Sequence, residues 1–275
     1  MTVSETQVDP RLNFQFQLGL DPDLPPTEEL PLAVAYGAGV DSTAMLIGLK
    51  NRGIKVDLIM FADTGSEKKK TYDYLPVMQA WLAKHSMPPI TIVRNASPIA
   101  GDKSLHGECL RKSVLPSLAY NFRLHSCSIK WKVEPQNRYC RKFCGWNGRT
   151  KTFRHGPYIY KAVGYDAGDA DNKRIIKSKD VWPEGHINRY FLKEWGWDRE
   201  RCRQEIVNEG LPVPVKSACF FCPASKEDEI HQLQEDEPES IEVALEIERK
   251  AKERGLTSCK GLGCSFSWTE LLGRA

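Results

Sequence analysis

The sequence lacks the features of a membrane-spanning, secreted or strongly basic protein. No apolar run approaches the roughly 20 residues that a helix needs to cross a bilayer. The first residues, MTVSETQVDPRLNFQFQ, contain no basic segment followed by an apolar one, so we expect no secretory signal. The 39 basic and 36 acidic residues leave a formal charge of +3, which excludes a histone-like polycation but not a local basic patch.

Cysteines, in contrast, are numerous. The 275 residues are 41% hydrophobic and 27% charged, as in globular proteins whose core needs no disulfides. We therefore expect a cytoplasmic protein with no membrane partner. In the cytoplasm, nine cysteines are better explained by a metal, an iron–sulfur cluster or reactive thiols than by a disulfide framework.

Hydrophobic periodicity predicts alternating strands and helices. Strands are predicted at Leu32–Tyr36, 56–61 and 90–93, with helices over 44–53 and 67–84. Asp41-Ser42-Thr43 can cap the first helix, and Pro76 should bend or delay the second. This alternation indicates a parallel sheet with right-handed crossovers.

The predicted fold is therefore α/β, with a doubly wound and mostly parallel sheet. Residues 1–30 are polar and proline-rich, and we interpret them as an N-terminal arm. Residues 31–215 form the α/β domain, and residues 216–275 form a helical extension that carries cysteines. Further elements are predicted as a strand at 158–165 and helices at 198–209, 226–234 and 239–254.

The most informative segment joins the first strand to the first helix, and it reads Tyr36-Gly37-Ala38-Gly39-Val40-Asp41-Ser42-Thr43. Glycines there let the backbone approach an anion, and a helix N-terminus offers unpaired N–H groups and a favourable dipole. The segment has neither the G-K-[ST] of a Walker loop nor the third glycine of a Rossmann fingerprint. Taken alone, it is equally an ordinary glycine-containing connection.

The residues around this turn resemble a known superfamily. GAGVDST at 37–43 is similar to the S-G-G-x-D-S loop of PP-loop enzymes, the adenine nucleotide α-hydrolase superfamily. Residues 62–67, ADTGSE, are followed by Thr71 and Tyr74, and together they resemble the D-T-G-x-E-x-x-x-T-x-x-[YF] segment of the phosphoadenosine phosphosulfate (PAPS) reductase family.

Two later segments extend the resemblance. CSIKWKVEP at 127–135 resembles the C-C-x-x-[RK]-K-V-x-P element of adenylylsulfate and PAPS reductases. Residues 163–166 and 173–174 resemble, more weakly, a strand-plus-arginine element near the phosphates. In chain order the matches span 31–223, so the resemblance implies an adenine nucleotide α-hydrolase-like fold.

The chain also departs from the family pattern. Gly37 stands where the loop usually carries serine, and the cysteine pair is reduced to Cys127-Ser128. No Glu-Cys-Gly-Leu-His element ends the chain, although Cys264 follows Gly263. These departures bear on PAPS reductase activity more than on nucleotide binding.

The resemblance implies a binding site for ATP or PAPS. The implied nucleotide-binding residues are Tyr36, Gly37, Ala38, Gly39, Val40, Asp41, Ser42, Thr43, Asp63, Thr64, Gly65, Glu67, Gly164 and Arg174. The implied catalytic residues are Asp41, Asp63, Lys130 and Cys127.

Several of these residues have a second interpretation. Asp41 can bind Mg²⁺ with the phosphates or cap the helix, and the two roles are compatible. Asp63 can contact ribose or metal, or belong to a turn with no ligand. Lys130, Lys132 and Arg174 can neutralise phosphate or sulfate oxygens, or be solvated surface charges.

Cys219-Phe220-Phe221-Cys222 is a C-x-x-C on a predicted turn. Two thiolates at that spacing can bind one metal ion or one cluster, and the resemblance adds Cys127 as a third ligand of a [4Fe–4S] cluster. Zinc is an alternative metal, and a buried apolar pair is the interpretation without metal. A fourth ligand would come from Cys109, Cys140, Cys144 or Cys264.

A basic, aromatic-rich stretch lies between Arg123 and Arg154. It contains Lys130, Lys132, Arg138, Arg141, Lys142, Arg149 and Lys151, interleaved with Trp131, Tyr139, Phe143, Trp146 and Phe153. Such a stretch can hold a nucleic acid, surround a sulfonucleotide or form a solvated helix face.

Three functions follow as hypotheses. The first is ATP-dependent sulfur transfer, in which a nucleic acid or small acceptor is adenylylated with release of pyrophosphate. Sulfur is then delivered from a cysteine or cluster, with a cysteine desulfurase as partner. The second is reduction of PAPS or adenylylsulfate to sulfite, with a thiol reductant as partner. The third is a non-catalytic module that binds a nucleotide or nucleic acid.

Overall fold

The computed structural model describes residues 30–95, 103–116, 126–145, 159–178, 186–257, 259–263 and 265–274. The predicted arm at 1–30 therefore lies outside the described residues, except for its last position. Arg123, residues 146–154 and Cys264 also lie outside them. None of the described helices is both long and apolar enough to span a bilayer.

Five strands form one parallel sheet. They are β1 (Leu32–Tyr36), β2 (Leu58–Asp63), β3 (Ile90–Arg94), β4 (Ile159–Val163) and β5 (His186–Arg189). The spatial order is β3-β2-β1-β4-β5, and every pair is parallel. The predicted α/β class and parallel sheet are confirmed.

Ten α-helices of the described residues connect these strands or follow the sheet. They are α1 (Val40–Asn51), α2 (Lys69–Lys84), α3 (Leu105–Lys112), α4 (Glu134–Phe143), α5 (Asp169–Ser178), α6 (Phe191–Glu194), α7 (Arg199–Asn208), α8 (Glu227–Asp236), α9 (Pro238–Glu253) and α10 (Trp268–Leu271). The last three predicted helices are confirmed to within about two residues at each end, the usual uncertainty of helix boundaries.

Three predicted details are wrong. The second strand covers Leu58–Asp63 rather than 56–61, since its buried positions continue to Asp63. The first helix begins at Val40, its N-cap is Gly39, and Asp41 lies in the first turn instead of capping it. The second helix already begins at Lys69, so Pro76 lies inside it and does not delay its start.

Both faces of the sheet are covered by apolar side chains, because successive residues of a strand point to opposite faces. Val34, Ile59 and Phe61 pack with α1 and α2 on one face. Ala33 and Met60 pack on the other face, near α4. Parallel sheets are stable in this arrangement because neither face meets water.

A separate apolar cluster contains the C-terminal residues. Trp268 and residues of α8 and α9 pack there with Phe221, and Leu105 of α3 and Trp131 belong to the same cluster. The cysteine-bearing extension therefore shares its core with residues that precede β4 in the sequence. The predicted boundary at residue 215 stays a prediction.

The basic, aromatic-rich stretch is helical over most of its described residues. A helical turn at Ser126–Ser128 leads into a π-helical segment, Ile129–Val133, and then into α4. A π-helical turn alters the spacing of side chains along a helix, and such turns are frequent at functional sites. Lys130, Trp131 and Lys132 all lie on this segment.

Candidate functional site at the carboxyl edge of the sheet

The strand order defines a crevice at the carboxyl edge of the sheet. From β1 the chain proceeds to β2 and β3 on one side, whereas β4 and β5 lie on the other side. The switch point is therefore between β1 and β4, where open α/β sheets bind their ligands. The loops that follow these two strands, residues 37–39 and 164–168, lie at this switch point, and we use the word crevice for the place where they meet.

The glycine loop after β1 is held by the side chain of Ser42. Its Oγ accepts hydrogen bonds from the N–H groups of Gly37 (3.1 Å) and Gly39 (3.4 Å) and donates to the Gly39 carbonyl (3.2 Å). Ala38 has a φ of +55°, a conformation that costs a non-glycine residue energy and is seen mainly where a tight turn imposes it. Ser42 therefore organises the turn from inside.

The neighbouring hydroxyl of Thr43 faces the interior. Thr43 is buried, and its Oγ1 lies 3.4 Å from the hydroxyl of Tyr36, which is also buried. The backbone N–H of Thr43 donates to the Gly39 carbonyl at 3.0 Å and begins the helical ladder. For an anion, the loop thus offers backbone groups of the first turn, whereas Tyr36 and Thr43 stabilise the loop from below.

Gly164 brings the loop after β4 against the N-terminus of α1. A Cβ on Gly164 would lie 2.9 Å from the backbone N and 3.0 Å from the Cα of Ser42. A contact under 3.0 Å with backbone cannot be relieved by a side-chain rotation, so only glycine fits here. The fourth, weaker match of the sequence therefore does adjoin the glycine loop.

Three carboxylates meet at the same edge. Asp41 of α1, Asp166 of the loop after β4 and Asp171 of α5 each bring an oxygen to within 4.8 Å of the other two. Asp166 and Asp171 are buried. Backbone N–H groups hold them in place, because Gly168 donates to Asp166 and Asp166 donates to Asp171.

Arg199 lies at the open side of this aspartate cluster. Its guanidinium is 3.0 Å from Asp41 Oδ2 and 3.6 Å from Asp166 Oδ2, and its side chain is 51% exposed. Three hard oxygen donors at this spacing fit a Mg²⁺ ion that also binds phosphate oxygens. The half-exposed Arg199 neutralises part of the charge of the cluster.

Asp63 lies at the end of β2 and organises its own turn. Its Oδ1 accepts hydrogen bonds from the Gly65 N–H and the Tyr72 hydroxyl, both at 2.8 Å, and its Oδ2 pairs with Arg94 at 2.8 Å. Burial would raise the pKa of Asp63, but these hydrogen bonds outweigh burial and lower it. Asp63 is thus engaged by protein groups at both oxygens.

A segment that we call the strap, Ser217–Phe220, connects the glycine loop with the turn after β2. The Ser217 Oγ lies 3.2 Å from the point where a Cβ on Gly39 would stand. Further along, Lys68 N–H donates to the Ala218 carbonyl (3.3 Å) and Phe220 N–H donates to the Ser66 carbonyl (3.0 Å). The C-x-x-C segment is thereby fixed to the carboxyl edge of β2.

Cys219 of the strap faces an ion pair whose carboxylate is buried. Its Sγ lies 3.5 Å from Thr64 Oγ1 and 3.8 Å from Glu67 Oε1, and Glu67 pairs with Lys132 at 2.8 Å. Burial would lower the pKa of Lys132, but the charge of Glu67 outweighs burial and raises it to about 12. We call these four residues, Thr64, Glu67, Lys132 and Cys219, the thiol region.

Two other candidate cysteines, Cys127 and Cys222, adjoin the thiol region, whereas Cys140 and Cys144 pack against the sheet with Met60. Cys127 is close enough to Cys222 and Cys109 for their charges to interact, and burial raises the pKa of Cys127. Thiolates bound to one zinc ion lie about 3.8 Å apart, given Zn–S bonds of about 2.3 Å. Among the described residues, Cys127, Cys219 and Cys222 do not all lie within 4.8 Å of one another.

The spacing of these three cysteines does not match a closed zinc site. It does not test an iron–sulfur cluster, because the thiolates of a cluster each bind a different iron and lie further apart. The donor set of three cysteines fits an iron–sulfur cluster in its chemistry. Cysteine ligation of a metal or cluster therefore stays a prediction.

Lys130 and Arg174 were predicted beside the phosphates. Lys130 pairs with Glu108, which also binds Lys112 and accepts a hydrogen bond from Trp131 Nε1 at 2.9 Å. Burial would raise the pKa of Glu108, but these partners lower it to about 2. Arg174 lies on α5, and its side chain is outside the described residues.

Sequence reasoning missed four residues of this edge: Asp171, Arg199, Ser217 and, as a metal ligand, Asp166. None of them belongs to a motif with a fixed spacing from the glycine loop. The available signal is Asp166, which directly follows the strand predicted at 158–165, since residues that follow parallel strands meet at one edge of the sheet.

Comparison with known proteins adds no assignment to these observations. No protein-family model matches the chain, and no curated protein matches it at a significant level.

Proposed function

We propose that this protein binds an adenine nucleotide in the crevice between β1 and β4 and belongs to the PP-loop enzymes, near the PAPS reductase family. The observation that carries the proposal is the contact of Gly164 with Ser42, which brings the loops after β1 and β4 together at the N-terminus of α1. This is the switch point of the sheet, and the aspartate cluster borders it.

The reaction that suits this edge is attack on the α-phosphate of ATP. An acceptor oxygen or nitrogen forms a bond to the α-phosphorus, the bond to the bridging oxygen breaks, and pyrophosphate leaves with that oxygen. The backbone N–H groups at the start of α1 stabilise the negative charge on the phosphate oxygens. Arg199, at 3.0 Å from Asp41, is near enough to add a second positive charge.

Asp41, Asp166 and Asp171 would hold Mg²⁺, which supplies neutralisation of the phosphate charge when it is bound. The chain's own contribution is orientation. Asp166 and Asp171 are held by backbone hydrogen bonds, so their oxygens need little rearrangement when a nucleotide binds.

Sulfur chemistry is the second half of the proposal. The strap joins the glycine loop to Cys219, so a thiol region and an anion site share one segment of backbone. Cys127, Cys219 and Cys222 would hold an iron–sulfur cluster, which supplies sulfur or electrons when it is bound. A sulfur nucleophile that displaces AMP from the adenylylated acceptor completes the transfer, with a cysteine desulfurase as the class of donor.

A nucleotide panel on anaerobically purified protein tests the proposal. ATP with Mg²⁺ should bind and release pyrophosphate in the presence of acceptor, and Asp171→Asn should lower pyrophosphate release at least about tenfold. Asp73→Asn, which removes an exposed carboxylate of α2, is the matched control and should have no effect. Binding of PAPS with release of sulfite, and no pyrophosphate from ATP, would favour the reductase instead. Absence of binding by either nucleotide contradicts the proposal.

A further inference from the structure

The strap places the hydroxyl of Ser217 next to the glycine loop. The Ser217 Oγ is 3.2 Å from the position of a Cβ on Gly39 and 3.6 Å from that of a Cβ on Gly37. Within the described part of the chain, this hydroxyl has no hydrogen-bond partner. Ser217 is only partly buried, so water can bind this hydroxyl in the free protein, and a molecule in the loop can replace that water.

The position of Ser217 is imposed by the strap and not by its own contacts. Immediately after it, Ala218 and Phe220 form backbone hydrogen bonds with the turn after β2, and Cys219 forms an isolated bridge with Glu67. The hydroxyl is therefore presented by backbone that is fixed at a neighbouring strand end. Donors that are fixed before binding contribute most to the binding of anions.

We propose that Ser217 is a binding residue for the phosphate groups of the nucleotide, with its hydroxyl donating to a phosphate oxygen that the glycine loop holds. This inference rests on the proposed function and adds a residue that lies 178 positions from Gly39 in the sequence (217 minus 39). It also gives the absence of a side chain at position 39 a second reason. A side chain at position 39 would displace the Ser217 hydroxyl.

The test compares Ser217→Ala with wild type against three probes: ATP, inorganic pyrophosphate and adenosine. Loss of one hydrogen bond to a charged group should weaken ATP and pyrophosphate binding by about tenfold or more. Adenosine has no phosphate, so its affinity should not change. Ser240→Ala, a serine of α9 that donates to Glu237, is the matched control and should leave all three affinities unchanged.

Three other results would contradict either this inference or the proposed function. Unchanged affinity for pyrophosphate and ATP in Ser217→Ala overturns the inference. An equal loss for all three probes overturns it as well, since the hydroxyl would then act on the shape of the site. If the wild-type protein binds neither ATP nor pyrophosphate, the proposed function itself fails. The wild-type measurement alone therefore separates failure of the proposed function from failure of this inference.

Discussion

The crevice between β1 and β4 and the thiol region lie at the same edge of the sheet but are built differently. At the crevice, the half-exposed Arg199 pairs with an aspartate cluster in which Asp166 and Asp171 are buried. In the thiol region, Glu67 is fully buried and its charge is matched by Lys132. The first arrangement suits a ligand that binds reversibly, whereas the second holds the Glu67 carboxylate in one position.

The difference shows that motif residues do not all have the same role. Asp63 and Glu67 belong to the segment that resembles the PAPS reductase family, yet protein groups engage both oxygens of Asp63 and one oxygen of Glu67. The loop after β4 gave the weaker resemblance, yet it contacts the start of α1 directly. We therefore expect changes in the crevice to alter nucleotide binding, and changes in the thiol region to alter stability first.

The largest expected effect belongs to Gly164→Ala. The added methyl would meet the backbone of Ser42 at 2.9 Å and push the β4 loop away from α1. A loop displaced in this way would lose at least two hydrogen bonds to phosphate oxygens, each worth about 1.5–3 kcal/mol, so ATP affinity measured by calorimetry should fall by about a hundredfold or more.

Gly37→Ala is the control for this experiment. A methyl there would make ordinary contacts at 3.6 and 3.8 Å, so binding should change by less than about threefold. Equal losses in the two variants would show that the two loops do not differ in the way that the structure implies.

A second prediction concerns the ion pair between Glu67 and Lys132 in the thiol region. Lys132→Met leaves the fully buried Glu67 without its cation and should lower the free energy of unfolding by about 3 kcal/mol, measured by urea denaturation. Lys130→Met leaves Glu108 with Lys112 and the Trp131 N–H as partners, so it should lower the free energy of unfolding by less than about 1 kcal/mol.

The double variant Glu67→Gln, Lys132→Met removes both charges and should recover part of the lost stability. If Lys132→Met and Lys130→Met lowered the free energy of unfolding by the same amount, the thiol region would not be the rigid part of this edge of the sheet.

The smallest expected effect is that of Asp63→Asn, and it depends on pH. Because the pKa of Asp63 is lower in the folded protein than its ordinary value of 3.8, the carboxylate stabilises the fold above that value. This stabilisation is lost as the pH falls through the lower folded pKa. At pH 7 the variant should be about 1 kcal/mol less stable than wild type.

The stability difference between wild type and Asp63→Asn should shrink below about pH 4, since wild type then loses the same interaction. Chemical denaturation at pH 7 and pH 3 measures both values. A difference that stays constant with pH would mean that Asp63 acts only through its shape and neutral hydrogen bonds.

Much of the fold was predictable because it depends on local patterns. The apolar run at Leu32–Tyr36 and the glycine turn after it identified β1 and the start of α1 to within a few residues. The boundaries of β2 were predicted less accurately. Its last two residues, Ala62 and Asp63, are no more apolar than Val56 and Asp57, which precede the strand. Asp63 is held in the strand by its register with Arg94 of β3, a contact that the local sequence does not reveal.

The candidate site was predictable only in part. The glycine loop and Gly164 were identified from resemblance, and the structure brings them into contact. Asp171, Arg199 and Ser217 were not identified, because each reaches the edge from an element whose neighbours are decided by strand order. Lys130 was expected near phosphate, whereas the π-helical segment directs it to Glu108.

The sequence by itself determined that this chain alternates strands and helices and that a glycine turn precedes a helix, since hydrophobic spacing and backbone freedom act over a few residues. Only the tertiary structure decided that β4 lies beside β1. That adjacency brings Asp41, Asp166 and Asp171 together and sets the strap over the loop. Contacts between residues so far apart in the chain depend on how the whole sheet buries its two faces.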